Sequence, residues 1–396
     1  MLEYIKTPQR KFFEGFLFEY SVSSVFKYST FLRFPYHRLF VMKHFRRKSN
    51  QLVILLMPKS YLPNPIIPLK FQMYFNQTTM INEFFASARN KNQWYWYLLT
   101  LLILFVFAVI FSVPLITISH LNGVVGTTKS LTAKDLNISD AMFLGLQMFT
   151  SISLTVGVIV AAWIIHKRSW KSLITAYDKV RWGRFFFGNL LWLGLMIGAE
   201  LITYAINPDN YVFQFEATQV VALLLVSVLT IPLQAAGEEL IFRGYLMQGI
   251  GWGTKRPWIA LILTSIGFGC LHLANPEIEK YGQEFIVTYI ITGLFFGIIT
   301  LMDDGLELAI GVHTVNNIYN AVLVTFPASA LELPTAFRIK VLDPWTVFAI
   351  SVIFYIFFIW ICAKRYGWTD WGKLTRKIID PNPDVDLQMI DSIGIK

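Results

Sequence analysis

Two adjacent glutamates stand inside an apolar stretch, in the segment Ala235-Ala-Gly-Glu-Glu-Leu-Ile-Phe-Arg243. Ionisable side chains in such surroundings are costly and are usually kept for function. Glu239 and Arg243 are four residues apart, so on a helix they share a face and can pair. Glu238 lies about 100° further round the same helix. Its carboxylate escapes that pairing and suits a general base. Two later apolar segments carry Phe268-Gly-Cys-Leu-His272 and His313-Thr-Val-Asn-Asn317. His313 and Asn317 are again four apart and stack on one face, whereas Asn316 points elsewhere. A carboxylate base, imidazoles and an amide donor form a plausible acyl-transfer site: one group activates water and another holds the oxyanion.

The elements that must position these groups are membrane helices. The chain has 396 residues, of which 55% are hydrophobic and 15% charged. A soluble domain carries about a quarter charged residues. Mean hydropathy is +0.51. Apolar runs such as 97–119 and 141–165 are long enough to cross a hydrocarbon core of about 30 Å as helices. Eight spans are predicted, at about 95–118, 141–165, 184–205, 217–250, 258–273, 284–302, 306–326 and 343–363, with bounds good to about two to four residues. The fold class is therefore all-α: a polytopic membrane protein with a polar intramembrane cavity. Span 4 is too long for a bilayer core, and Pro232 and Gly237 suggest a kink there.

The net charge of +9 sits beside the apolar runs, so it reads as anchoring to lipid headgroups rather than as a nucleic-acid surface. No nucleic-acid partner is expected. Lys and Arg gather before span 1, after spans 2 and 4 and after span 8, which places both termini in the cytoplasm. The turn Asp303-Asp304-Gly305 carries no Lys or Arg and decides nothing. Counted along antiparallel helices from the turns near residues 250–258 and 303–305, Glu238, His272, His313 and Asn317 reach similar depths. They could line one cavity, expected to open on the cytoplasmic side where those turns lie.

In that order, Glu238-Glu239-x-x-x-Arg243, Phe268-x-x-x-His272 and His313-x-x-x-Asn317 resemble the CPBP, or Abi, family of intramembrane proteases. That family includes type II CAAX prenyl endopeptidases and bacterial bacteriocin-immunity proteins. The motifs cover about residues 215–326, and the helix count about 95–363. The resemblance implies an endopeptidase acting near the cytoplasmic membrane face. Glu238 would activate water with His272, His313 and Asn317 would stabilise the oxyanion, and Glu239 with Arg243 would support them. Its substrate would be a peptide or membrane protein, prenylated or recognised at a peptide C-terminus.

Other readings stand beside this one. Two histidines and a glutamate can form a catalytic zinc site, here Glu238, His272 and His313. There is no HExxH, and the Asn317 amide is a poor zinc ligand, so a metal-free site is favoured. A non-catalytic immunity or receptor protein could keep the same constellation for binding. A proton-relay transporter is a further alternative, although no internal repeat supports it. Phe268 offers neither proton nor lone pair and reads as packing. Glu200 reads as an interface group. Tyr245, Tyr319 and Asn320 fall near the cavity by helix spacing. Cys270 and Cys362 form no CxxC.

Residues 1–90 form a basic, aromatic extension, read either as a membrane-surface segment or as sequence ahead of a true start at Met73 or Met80. The first 30 residues contain no uninterrupted apolar run of signal-peptide type. The membrane domain is expected over 91–366, and a cytoplasmic tail over 367–396.

Overall fold

The structure, a computed structural model, describes residues 84–89, 91–124 and 131–379, together with the backbone of four earlier strands. The chain divides into two compact units, Met1–Asn76 and Gln77–Lys396. In the first unit, β1 (Gly15–Phe18), β2 (Phe26–Arg33), β3 (His37–Arg46) and β4 (Ser49–Pro58) form an antiparallel sheet in sequence order. The β3–β4 register runs from His37 opposite Pro58 to Arg46 opposite Ser49. Met73 and Met80, the alternative starts, lie outside the described residues, as does the tail beyond residue 379.

The second unit is helical. All eight expected helices are present: α1 (Trp94–Leu121), α2 (Asp140–His166), α3 (Trp182–Ile206), α4 (Ala217–Thr254), α5 (Pro257–Leu271), α6 (Glu284–Asp303), α7 (Glu307–Val322) and α8 (Pro344–Tyr366). Their ends follow local chemistry. Ser139 Oγ accepts the Met142 N–H at 3.2 Å and opens α2, satisfying one of the donors a helix start leaves free. Asp343 does the same for Thr346 at 2.8 Å, with Pro344 in the first helical position of α8. Gly367, at φ 68°, closes α8 in the left-handed region.

Six of the eight helices are long and apolar enough to cross a membrane. The two exceptions are α5, with 15 residues, and α7, with 16. At 1.5 Å per residue they span only about 22–24 Å. The α1 side chains Leu101, Phe105 and Ile110 are exposed, as lipid-facing residues would be. The protein is thus the expected polytopic, essentially all-α membrane protein, with two of its eight helices too short to be full spans.

Helix α4 keeps its helical hydrogen bonding at Pro232 and Gly237, where a kink is expected. It continues through both, and its irregularity comes later, as a π-helical turn over Leu240–Leu246. Such turns recur at functional sites. Gly237 matters for another reason. A side-chain carbon there would come within 2.8 Å of the Thr155 main-chain nitrogen. Its absence lets α2 and α4 touch, and Thr155 Oγ1 donates to Leu233 O at 2.5 Å across the contact.

A second small sheet caps one end of the bundle. In it β5 (Tyr211–Phe213) and β6 (Val324–Thr325) flank β7 (Phe337–Ile339), antiparallel and parallel respectively. At the opposite end, the turn between α6 and α7 is held by ion pairs. Asp303 accepts from Arg181 and Arg184 at 2.9 and 3.0 Å. Asp304 accepts from Lys373 at 2.9 Å, and Glu307 from Arg181 at 2.7 Å.

Candidate active site

Three helices bring the singled-out residues together. On α4, Glu239 and Arg243 pair as their spacing predicts, at 3.0 Å, and both are fully buried. The second guanidinium nitrogen donates to Gly293 O on α6 at 3.0 Å. The guanidinium lies 4.5 Å from the Phe268 ring centre, which gives Phe268 a cation–π role in addition to packing. Glu239 also accepts from His313 Nδ1 at 2.9 Å. With Nδ1–H directed at a carboxylate, the other imidazole nitrogen is turned outward. The ring is further fixed by stacking on Phe296, with centroids 5.3 Å apart.

His313 Nε2 faces Glu238. It stands 3.8 Å from Glu238 Oε2, too far for a direct hydrogen bond and a spacing at which a bridging water has to be considered. Glu238 Oε1 accepts from Gln234 Nε2 at 2.5 Å, while Oε2 is buried without a hydrogen-bond partner. A buried carboxylate oxygen left unpaired is expensive, and an exception of this kind calls for a functional explanation. Asn317 Nδ2 donates to Gln234 Oε1 at 3.1 Å. Gln234 thus ties the base on α4 to the amide on α7. Sequence reasoning missed it, although its position one turn before Glu238 was a readable signal. Asn316 lines the same cavity, donating to Asn317 Oδ1 at 3.3 Å and accepting from Trp192 Nε1 at 3.3 Å.

His272 lies at the carboxyl end of α5. Its Nδ1 contacts Phe268 O at 2.8 Å, and its ring stacks on Tyr289 with centroids 4.0 Å apart. Tyr289 in turn bonds Glu277, a buried acid that also accepts from Asn275 at 3.1 Å. Neither Tyr289 nor Glu277 belongs to a motif that spacing along one helix reveals. The nearest imidazole to Glu238 is that of His313, and His272 shares the cavity wall with both.

Gln234, Glu238, Phe268, His272, His313 and Asn317 border one cavity of about 860 Å³, with Glu239 and Arg243 behind its wall. Tyr319 and Asn320 line it, as expected. Glu200 lines it too, accepting from Tyr211 and Tyr319 at 2.5 and 3.0 Å. Burial, and after it the bond to Glu200, push the Tyr211 hydroxyl up to about 12, so it stays a donor. Tyr245 is not part of the cavity wall. It contacts Thr100 and His166, each at 2.6 Å. A regular α-helix would return residue 245 to the face of Glu238, but the π turn between them breaks that phase.

The cavity lining extends away from the turns near which an opening is expected. No residue of the turns 255–256 and 303–306 lines the cavity. It reaches instead to Asn210, Tyr211, Val324, Ile339 and Val341, around the β5–β7–β6 sheet at the other end. Helix length explains this. Helices α5 and α7 start at the turn end, where ion pairs seal the bundle, and stop short, leaving the space beyond them to be lined by loops.

His313 Nδ1 is engaged by Glu239 and His272 Nδ1 faces a main-chain carbonyl, which leaves Nε2 as the second ring nitrogen of each. Among the described residues, no group of three or more His, Cys, Asp or Glu is placed to hold a metal ion.

A multi-pass membrane protein with a buried carboxylate, imidazoles and an amide around one cavity has the outline of a membrane peptidase. A family model described as type II CAAX prenyl endopeptidase Rce1-like matches residues 218–319, a stretch that holds every motif residue from Glu238 to Asn317. The uncharacterized protein YyaK of Bacillus subtilis (strain 168) is 32% identical over 214 residues, which is 52% of this chain and 72% of that relative. The chain belongs to the Rce1-like family of CAAX-protease-like membrane endopeptidases.

Proposed function

We propose that the protein hydrolyses a peptide bond within the membrane, with Glu238 as the base that activates water. The observation that carries this reading is the buried, unpartnered Glu238 Oε2, 3.8 Å from His313 Nε2 on the wall of a large polar cavity. Glu238 removes a proton from water as the water oxygen attacks the scissile carbonyl carbon. His272, on the same wall, helps to hold that water. An amide has two N–H groups. Asn317 gives one to Gln234, so the second is free for the oxyanion, and His313 Nε2 faces the same space. As the C–N bond breaks, Glu238 passes the proton to the leaving amine. Glu239 and Arg243 hold His313 in position.

The donor chemistry favours a metal-free reaction, since the groups around Glu238 are amides and one facing imidazole. Chelation followed by zinc re-addition tests this directly: loss of cleavage and its rescue by zinc would overturn it. The base assignment is tested with Glu238→Gln, which preserves shape and removes the proton acceptor. Comparative peptidomics of membranes carrying parent or variant should show cleavage reduced by roughly 10²–10⁴-fold. Undiminished cleavage by correctly inserted variant would sink the proposal.

A further inference from the structure

We infer that the cavity opens away from the cytoplasm, and that its substrates are polypeptide segments presented from that side of the membrane rather than prenylated chain ends on the cytoplasmic leaflet. Two independent features meet here. The first is where the cavity opens. Its lining runs from Glu238 and His313 to residues 210–211, 324–331 and 339–343, with no contribution from the turns at 255–256 and 303–306. The second is the distribution of cationic residues. Lys and Arg crowd the segments 167–184, 255–256 and 364–377 at the turn end. At the mouth end, 207–216 has no Lys or Arg, 272–283 has Lys280 alone, and 323–343 has Arg338 and Lys340, while 122–139 adds Lys129 and Lys134. Short loops rich in Lys and Arg stay in the cytoplasm. The turn end is therefore cytoplasmic and the mouth faces the other side.

The lining chemistry points to the substrate class. Glu200, Glu238, Glu277 and Asp343 lie on the cavity wall, and no Lys or Arg does. A CAAX chain end carries a free carboxylate. Four carboxylates with no Lys or Arg beside them repel that group, whereas Lys or Arg side chains of an internal segment are attracted. The substrate half of the inference rests on the peptidase reading given above; the sidedness half does not.

Sidedness is read by cysteine labelling of the full chain in intact cells with a membrane-impermeant maleimide. Val341→Cys places a thiol at an exposed position on the cavity mouth. Lys179→Cys places one in the exposed loop at the turn end. Native Cys270 and Cys362, read in the parent protein, set the background. Val341→Cys should label in intact cells, and Lys179→Cys only after permeabilisation. The reverse pattern, or equal labelling of the two in intact cells, overturns the inference. A carboxyl-terminal tag on the parent chain gives a second reading that needs no cysteine variant: it should resist external protease until cells are opened, and its removal from intact cells also overturns the inference. For the substrate, peptides lost on Glu238→Gln substitution should map to segments outside the cytoplasm. Lost peptides that map to cytoplasmic chain ends overturn that half. If no peptide changes, the peptidase reading fails while the labelling result stands.

Discussion

At the scale of single residues, the site is a problem of compensated burial. Glu239 and Arg243 are both fully buried, so removing one strands the other. Arg243→Met leaves Glu239 facing only His313 and should cost about 3–5 kcal/mol of stability, visible as a lower thermal midpoint in detergent. Adding Glu239→Gln to that variant should recover part of the loss, and a second substitution that merely adds to the first would contradict the pairing. Gln234 does different work. It donates to Glu238 at 2.5 Å and accepts from Asn317 at 3.1 Å, so it sets the distance between base and oxyanion donor. Gln234→Leu keeps the volume and deletes both bonds. Turnover should fall roughly 10²-fold, as expected when reacting groups drift by about 1 Å, with KM changing far less. Unchanged turnover would show that the bridge is idle. Glu238, Glu239, Arg243, His272, His313 and Asn317 were legible in the sequence because ionisable and amide groups in apolar spans are conspicuous. Gln234 was harder to see, since a neutral polar residue in a span has common structural uses. Tyr289 and Glu277 act through contacts between α6 and the loop after α5, which no spacing within one helix reveals.

At the scale of elements, hydropathy located all eight helices because length and apolarity are local properties. What it could not show is where a helix stops short. Helices α5 and α7 have 15 and 16 residues where full spans are predicted, and the cavity is walled by their later halves and reaches past their ends. Counting residues from the turns predicts a shared depth for these groups, and they do share one cavity, but depth along a helix says nothing about which end of the bundle that cavity reaches. The β5–β7–β6 sheet was equally hidden, since strands of two or three residues carry too little periodicity to be read. The reading of Gly237 as a kink residue leaves out its close packing against α2. Gly237→Ala would drive a methyl group into the Thr155 main chain, 2.8 Å from its nitrogen. Backbone cannot move aside as a side-chain end can, so about 1–3 kcal/mol of destabilisation is expected. Glu238, the next residue, should shift with it. Thermal unfolding together with cleavage assays checks this, and a variant that matches the parent in both would refute the close-packing account.

At the scale of the whole molecule, one small turn joins distant parts of the chain. Asp304 sits just past α6 and contacts Lys373 in the segment after α8. Its main-chain carbonyl accepts from Ala176 N at 3.1 Å, in the loop after α2. Neighbouring Asp303 bonds Trp368 Nε1 at 3.2 Å. The seal at this end is thus assembled from three segments, and its charge state should be felt throughout the bundle. Burial raises the Asp304 carboxyl from its ordinary 3.8 to about 6, with Lys373 opposing that rise. The folded protein therefore holds this proton more tightly than the unfolded chain does. Stability rises with pH only where the unfolded state binds more protons, and here it binds fewer. The contribution is fully present below pH about 4 and is lost as pH climbs through about 6, with an upper bound of about 3 kcal/mol. Asp304→Asn abolishes the titration while keeping the shape. Between pH 4 and 7, the parent's thermal midpoint in detergent should fall relative to that of the variant, and the gap should level off above pH 7. Parallel curves for the two proteins would show that Asp304 stays ionised across the range and that Lys373 outweighs its burial.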